Sequence, residues 1–275
     1  MRCLVVADLH YSLPQFDWLI RVAPQFDLVI FAGDALDVGS VVDFRAQIVV
    51  VNKYLALLSC ITRVIVCSGN HDLDGRSPEG EKISRWIGDL REVGITCDGD
   101  SLTIGQTLFT VCPWWDGPLV KQRIDRQLRE AAAGRLKRWI WVHHAPPANS
   151  PTSWGGKRFF GDVELVQWIQ SYQPSIVISG HVHQSPFIPD GSWFDQLGNT
   201  WVFNAGLQSG RPPVHIVLDI DGGTAFWLAA GDEQCIDLNA RLQRPAAMIT
   251  NPPAWLTSLG RIADPNLARP LSPVG

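Results

Sequence analysis

The sequence predicts an α/β protein, and three observations point to this class. Short apolar runs rich in β-forming residues alternate with segments of helical spacing along most of the 275 residues. Motifs rich in Asp, His and Asn follow most of these runs directly. The hydrophobic fraction of 46% and the charged fraction of 18% are ordinary for a globular protein with one large core. The motifs therefore belong at strand C-termini, where open α/β sheets form binding crevices.

The first half of the chain supplies three apolar strands before a mixed region. Strands are predicted over residues 3–7, 28–31 and 64–67, with a local antiparallel cluster at 95–97, 101–104 and 107–111. Helices are predicted over residues 13–21, 41–58 and 80–93. In the last of these, Ile83, Trp86, Ile87 and Leu90 share one helical face.

The second half continues the alternation and then changes to strands alone. Helices are predicted over residues 119–133 and 163–172, and strands over 139–142, 176–179, 201–203, 214–220 and 224–229. The pair Gly222-Gly223 predicts a hairpin turn between the last two strands.

Five polar motifs occur in one order along these strands. They are Asp8-Leu9-His10, Gly33-Asp34, Gly69-Asn70-His71-Asp72, His143-His144 and Gly180-His181-Val182-His183. Carboxylate, imidazole and amide ligands suit borderline divalent ions such as Mn²⁺, Fe²⁺ or Zn²⁺. A lone Asp after a strand is more often a helix cap, which is our interpretation of Asp37 and Asp43. The ordered set as a whole predicts a metal centre.

This set resembles the calcineurin-like metallophosphoesterase superfamily, over about residues 1–220. The resemblance implies a four-layer α-β-β-α sandwich, in which two mixed sheets face each other with helices outside. It also implies a phosphoester hydrolase with two divalent metal ions, in which a hydroxide bridging the ions attacks phosphorus. We expect residues 1–231 to form the catalytic domain. Residues 232–275 contain six prolines and would be an extension packed on the core or partly mobile.

The resemblance assigns seven metal ligands. Asp34 would bridge the ions, with Asp8, His10 and His183 on the first and Asn70, His143 and His181 on the second. His143 and His144 are adjacent, so only one can face the ions if the strand continues through them. We expect His143 to ligate and His144 to contact substrate or support a ligand.

Other side chains have roles around the phosphate. By the same resemblance, His71 would protonate the leaving alkoxide, with Asp72 orienting it. Lys157 and Arg158 lie in a glycine-containing loop between two motifs, and either contact a phosphate oxygen or are ordinary surface charges. Trp114 and Trp115 are either an aromatic wall for a base or apolar ester group, or core residues.

The sequence favours only part of the range of substrates used by the superfamily. The segments after Gly33-Asp34 and before Gly69-Asn70 lack the arginines that clamp phosphate in protein Ser/Thr phosphatases. We therefore favour a phosphodiesterase acting on small or nucleotide-like esters. A phosphomonoesterase or nuclease of the same fold remains an alternative, and a scaffold subunit with weakened catalysis is a third.

Composition bears on partners and compartment. A net charge of −4 with no basic run does not favour nucleic acid as a partner, although it leaves that open. There is no signal-peptide pattern and no apolar stretch long enough for a membrane helix. Six singly spaced cysteines fit a reducing compartment, so we expect a cytoplasmic location. Tryptophan-rich loops are compatible with a homodimer.

Overall fold

The structure is a computed structural model that describes residues 1–263, with side chains undescribed at 258 and 260–263. The strands are β1 Arg2–Val6, β2 Leu28–Ala32, β3 Arg63–Cys67, β4 Gly75–Arg76, β5 Lys82–Ile83, β6 Thr96–Cys97, β7 Ser101–Ile104, β8 Thr107–Val111, β9 Arg138–Val142, β10 Ile176–Ser179, β11 Phe194–Leu197, β12 Thr200–Asn204, β13 His215–Asp219, β14 Thr224–Ala229, β15 Asp232–Asp237 and β16 Ala247–Met248. The helices are α1 Leu13–Val22, α2 Phe44–Ser59, α3 Arg85–Asp89, α4 Pro118–Ala133, α5 Val163–Tyr172 and α6 Ala254–Ala263.

Two mixed sheets contain most of the strands. The first has eight strands in the order β16-β15-β14-β13-β1-β2-β3-β6, and the second has six in the order β11-β12-β10-β9-β8-β7. In the first sheet, β1, β2, β3 and β6 run parallel. In the second, β8, β9, β10 and β12 run parallel. Parallel strands place their C-terminal ends at one edge, which is where the polar motifs begin.

The two sheets face each other across a shared apolar core. Ile30 and Trp227 of the first sheet lie in one cluster with Phe109, Ile140 and Phe203 of the second. Strands enclosed between a second sheet and a helical layer are apolar on both faces, as in the fully buried run Leu28–Ala32.

Helices cover the outer face of each sheet. Buried side chains of α1, α2 and α6 join the outer face of the first sheet, and those of α4 and α5 join the outer face of the second. These layers confirm the predicted four-layer α-β-β-α sandwich. No helix within residues 1–263 has both the length and the apolar character to cross a membrane.

The predicted helix over residues 80–93 is wrong in its first turn. Residues Lys82–Ile83 pair with Gly75–Arg76 as a small antiparallel ribbon, and the helix begins only at Arg85. The shared face of Trp86, Ile87 and Leu90 is buried as expected. Pairing between these two short strands has therefore overridden the helical spacing of the residues before Arg85.

The predicted cluster over residues 95–111 divides between the two sheets. Thr96–Cys97 is parallel to β3 in the first sheet, whereas Ser101–Ile104 and Thr107–Val111 form a hairpin in the second. The strands Phe194–Leu197 and Asp232–Asp237 were not predicted. Both are at or near a sheet edge and carry polar residues, so they lack the apolar run that marks a central strand.

The first sheet continues past residue 231. β15 pairs antiparallel with β14, β16 pairs with β15, and α6 contacts α1. Residues 264–275 of the predicted extension lie outside the described part of the chain.

Candidate metal centre

The five motifs meet at one edge of the sandwich. Asp8 and Asp34 follow β1 and β2, and Asn70 begins a short 3₁₀ turn after β3. These three strands are neighbours in the first sheet. His144 and His181 follow β9 and β10, which are neighbours in the second sheet. The carboxyl ends of both sheets thus bring together side chains that are far apart in sequence.

A first cluster contains Asp8, His10, Asp34 and His183, whose ligand atoms all lie within 4.8 Å of one another. The Nε2 atoms of His10 and His183 are 3.1 Å apart. His183 Nε2 is 3.3 Å from Asp8 Oδ1, and His10 Nε2 is 3.8 Å from Asp34 Oδ2. Both carboxylates are buried. Two carboxylates and two imidazoles form a donor set suited to a borderline divalent cation.

A second cluster contains Asp34, His144 and His181 within the same 4.8 Å limit. His144 Nε2 lies 3.1 Å from Asp34 Oδ2. His181 Nδ1 lies 2.8 Å from the amide oxygen of Asn70, which adds a fourth donor. Asp34 belongs to both clusters.

The orientation of the two adjacent histidines is opposite to the expected one. His144 enters the second cluster, and its Nδ1–H donates to the carbonyl of Ala32 at 2.7 Å. That bond leaves Nε2 buried and facing Asp34 Oδ2, 3.1 Å away. An imidazole whose second nitrogen donates to a carbonyl is the usual arrangement of a metal-binding histidine.

His143 points to the outer side of the second sheet. Its Nε2 is 3.2 Å from Asp162 Oδ2, and its ring is edge-on to Trp168. The alternation of β9 explains this difference: Ile140 and Val142 face the inner core, whereas Trp141 faces α4 and α5. Continuing the alternation past the strand turns His143 outward and His144 inward.

The charges of the cluster favour bound cations. Burial acts to raise the pKa of Asp34, but His144 and the backbone N–H of His71 hold it well below its usual range. Burial acts to lower the pKa of His144, yet Asp34 raises it to about 10. Burial lowers the pKa of His181 to about 4 and also lowers that of His10. Neutral imidazoles beside an ionised carboxylate are ready to ligate, and at His144 a cation would replace the proton.

The backbone at the cluster is strained in the same way at four candidate ligands. Asp8, His10, Asp34 and His181 have φ values of 55°, 42°, 55° and 70°. Residues other than glycine rarely adopt these left-handed conformations, which persist only where surrounding structure holds them. Half of the eight such residues in the described chain are candidate ligands. The fold thus maintains an unfavourable backbone to aim these side chains.

Glycine is required before two of the ligands. A Cβ at Gly33, whose φ is +91°, would lie 2.3 Å from His144 Nδ1. A Cβ at Gly69 would lie 2.1 Å from Asp34 Oδ1. Both glycines permit backbone to touch the side chains of the cluster.

His71 lies at the rim of the cluster. Its ring centroid is 4.5 Å from that of His10, and its side chain is 24% exposed. The N–H of Val38 donates to His71 Nδ1 at 3.4 Å, and Asp37 Oδ1 is 4.0 Å from the same nitrogen.

Two expectations about aspartates are corrected. Asp72 does not orient His71: its buried carboxylate accepts the N–H groups of Asp34, Leu36 and Gly69, at 2.8, 3.1 and 2.8 Å. Burial, followed by the charge of Asp34, raises the pKa of Asp72 to about 8. Asp37 caps no helix and lies beside His71 instead, a role that its position three residues after Asp34 could have indicated.

Asp43 is the helix cap that was predicted, accepting the N–H groups of Arg45 and Ala46 at the start of α2.

Asn204 supports the backbone around the cluster. Its amide donates to the carbonyls of Thr152 and Val182 at 2.9 and 3.0 Å, which ties the loop after β9 to the Gly180–His183 motif.

The residues expected to bind substrate separate into two groups. His144 is part of the cluster, as described above. Arg158 places its guanidinium 4.6 Å above the ring of Phe160, and Lys157 is exposed. Among the described residues, neither makes a hydrogen bond or ion pair with the cluster, so their contact with phosphate stays a prediction.

Trp114 and Trp115 are partly buried and lie next to the cluster. The ring centroid of Trp114 is 5.2 Å from that of His181 and 5.7 Å from that of His144. Trp115 donates its Nε1–H to Asp162 Oδ2 at 2.8 Å. Asp162 also caps α5 and contacts His143, a linking role that the sequence did not indicate to us.

Comparisons with known proteins agree with this architecture. A family model described as calcineurin-like phosphoesterase matches residues 1–185. No curated protein is significantly similar to the chain.

Solved structures share the fold at low sequence identity. A dimetal phosphatase from Danio rerio has a TM-score of 0.56 and 11% identity, with 86% of this chain and 99% of that chain covered. The protein TT1561 from Thermus thermophilus has a TM-score of 0.55 and 15% identity, covering 88% and 96%. A purple acid phosphatase from yellow lupin has a TM-score of 0.51 and 13% identity, covering 87% and 52%.

The fold and the buried Asp-His-Asn cluster define a metal-dependent phosphoester hydrolase. The chain belongs to the calcineurin-like phosphoesterase family.

The two adjacent histidines provide a matched pair for testing the cluster, because both side chains are completely buried. His144→Ala removes the nitrogen that lies 3.1 Å from Asp34 Oδ2, so it should lower bound metal by about one ion per chain relative to wild type. His143→Ala should retain most of the metal, with an affinity loss of at most roughly 10–100-fold. Both variants would be stripped, reloaded with Mn²⁺ and measured by inductively coupled plasma mass spectrometry. Circular dichroism controls for folding, and a larger metal loss in His143→Ala would reverse our assignment.

Proposed function

We propose that this protein is a dinuclear phosphodiesterase acting on small or nucleotide-like phosphoesters. The first cation would be held by Asp8, His10, Asp34 and His183, and the second by Asp34, Asn70, His144 and His181. His144 thus takes the place that the sequence had assigned to His143.

One observation carries this proposal: Asp34 is common to two clusters of ligand atoms, each compact enough for one ion. A carboxylate has two oxygens and can bind two cations at once, whereas an imidazole nitrogen binds one. Asp34 also accepts the backbone N–H of His71 at 2.8 Å, which fixes the carboxylate between the clusters. His10 and His183 contact each other in the first cluster, and Asn70 contacts His181 of the second.

Two cations in such a site would activate a water molecule and stabilise the attacking and leaving oxygens of an in-line displacement. The chain itself supplies the proton for the leaving group. His71 would first take up a proton from solvent, to which its side chain is partly exposed. The Nε2–H bond of this imidazolium would then break as the proton passes to the leaving oxygen. The ring returns to its neutral form with the remaining proton on Nδ1, which lies 4.0 Å from Asp37 Oδ1.

The charges around the cluster favour a diester over a monoester. Among the residues whose side chains the structure describes, no Lys or Arg forms a hydrogen bond or ion pair with Asp8, Asp34 or the histidines of the cluster. A phosphomonoester carries nearly two negative charges at neutral pH and is commonly clamped by guanidinium groups. A phosphodiester carries one negative charge, which the metal ions can balance without that help.

The donor set accommodates Mn²⁺, Fe²⁺ or Zn²⁺, and we propose Mn²⁺ as the first ion to test.

All six cysteines are free of disulfides, four of them buried. Unpaired thiols in a chain of this size support our proposal of a cytoplasmic protein.

The substrate preference can be measured with two esters that share a leaving group. After metal removal and addition of Mn²⁺, we expect hydrolysis of bis-p-nitrophenyl phosphate to exceed that of p-nitrophenyl phosphate in kcat/KM. Asp34→Asn should lose both activity and bound metal, because the shared carboxylate is gone. Preference for the monoester would move the assignment to a phosphomonoesterase. Full activity of Asp34→Asn would contradict the dinuclear site.

The role of His71 can be distinguished from that of a metal ligand by measuring how the activity loss of a variant depends on the leaving group of the ester. His71→Gln should keep the wild-type metal content, because the side chain is directed at the rim. It should lose about 10²–10⁴-fold in kcat on an alkyl ester, whose leaving group needs a proton, and much less on a p-nitrophenyl ester. An equal loss on both esters, or loss of metal, would show that His71 has another role.

A further inference from the structure

A cavity of about 400 Å³ opens directly beside the metal centre. His181, a member of the second cluster, also forms part of the cavity wall, as does the neighbouring Trp114. A phosphoester whose phosphate lies at the cluster would therefore have one of its substituents at the entrance of this cavity. The volume lies within the range of small-molecule sites, roughly 300–1,000 Å³.

The cavity has three aromatic walls. Trp114, Trp115 and Phe160 all line it, and Ala145 adds a small apolar surface. The indole of Trp115 is held in place by its bond to Asp162. Phe160 keeps 40% of its surface exposed in the loop after Trp154, although Arg158 covers one face of the ring. Exposed planar rings facing an aqueous cavity are suited to stacking against another planar ring.

The charges of the lining do not favour a second phosphate. Among the described residues, Asp162 and Glu164 are the carboxylates that line the cavity, and no Lys or Arg joins them. Glu164 is already paired with Lys121 at 2.8 Å, and Asp162 accepts from Trp115. A polyphosphate or an acidic group would therefore find no cationic partner in the lining.

We propose that this cavity binds a planar, uncharged aromatic substituent of the phosphoester, with its rings against Trp115 and Phe160. The inference rests on the proposed function and specifies its substrate class. The substituent is either a nucleobase or a simple aryl group, which share the chemistry that the cavity recognises.

The test uses phosphonates, which bind without being hydrolysed. Calorimetric titration of the Mn²⁺-loaded full chain with phenylphosphonate and methylphosphonate gives the ratio of their Kd values. We expect phenylphosphonate to bind at least about fivefold more tightly, given the usual strength of stacking on aromatic side chains. Phe160→Ala should reduce this ratio by about 2- to 10-fold while leaving methylphosphonate binding unchanged.

Phe159 provides a matched control for Phe160. It is the adjacent residue, is similarly exposed, and packs at a tilt against Trp154 without lining the cavity. Phe159→Ala should therefore keep the wild-type ratio. Trp115→Leu removes a second aromatic wall and should lower the ratio as Phe160→Ala does.

A second comparison distinguishes the two sources of the aromatic ring. AMP and ribose 5-phosphate would be compared as inhibitors of bis-p-nitrophenyl phosphate hydrolysis. Tighter inhibition by AMP identifies the base as the occupant, whereas equal inhibition with a preference for phenylphosphonate identifies an aryl ester.

The outcomes separate this inference from the proposed function. Equal Kd values for the two phosphonates in an active enzyme would overturn the aromatic cavity alone. A ratio that stays at the wild-type value in both Phe160→Ala and Trp115→Leu would do the same. Absence of both phosphonate binding and ester hydrolysis in the metal-loaded protein would overturn both.

Discussion

The burial of Asp8 and Asp34 side by side is the constraint on which the site depends. Two carboxylates within a few ångströms, both removed from water, repel each other and are costly without positive charge nearby. The chain supplies imidazoles and an amide but no Lys or Arg among its described contacts to the pair. Divalent cations therefore complete the electrostatic balance, and the surrounding structure is arranged to hold the carboxylates in place until they bind.

Several features of the fold serve this arrangement. The carboxyl ends of parallel strands in two facing sheets meet at one edge, so ligands from five motifs converge there. Left-handed backbone at four ligands turns their side chains inward, at a cost in conformational energy of about 1–3 kcal/mol each. Asp72 offsets part of this cost, because its buried carboxylate accepts three backbone N–H groups around Asp34 and Gly69. Asp72, which follows the candidate catalytic residue His71, therefore stabilises the backbone of the loops that carry the ligands.

The sequence predicts the cluster well because few residue types can bind a metal ion and because the motifs that contain them directly follow successive strands. It predicts less well which of two adjacent histidines turns inward. That choice depends on which face of β9 meets the other sheet, and Ile140 and Trp141 are both apolar enough for either side. The role of Asp37 was missed because a turn rather than a helix follows it. The strand β15 was missed because its partly exposed, polar residues do not resemble a buried strand.

The most direct measurement is anomalous diffraction from crystals of the protein soaked with Mn²⁺. Our account predicts two peaks roughly 3.5–4 Å apart, with Asp34 between them and His144 coordinating one of the two. A single peak, or a peak coordinated by His143 and Asp162, would contradict the shared-carboxylate site.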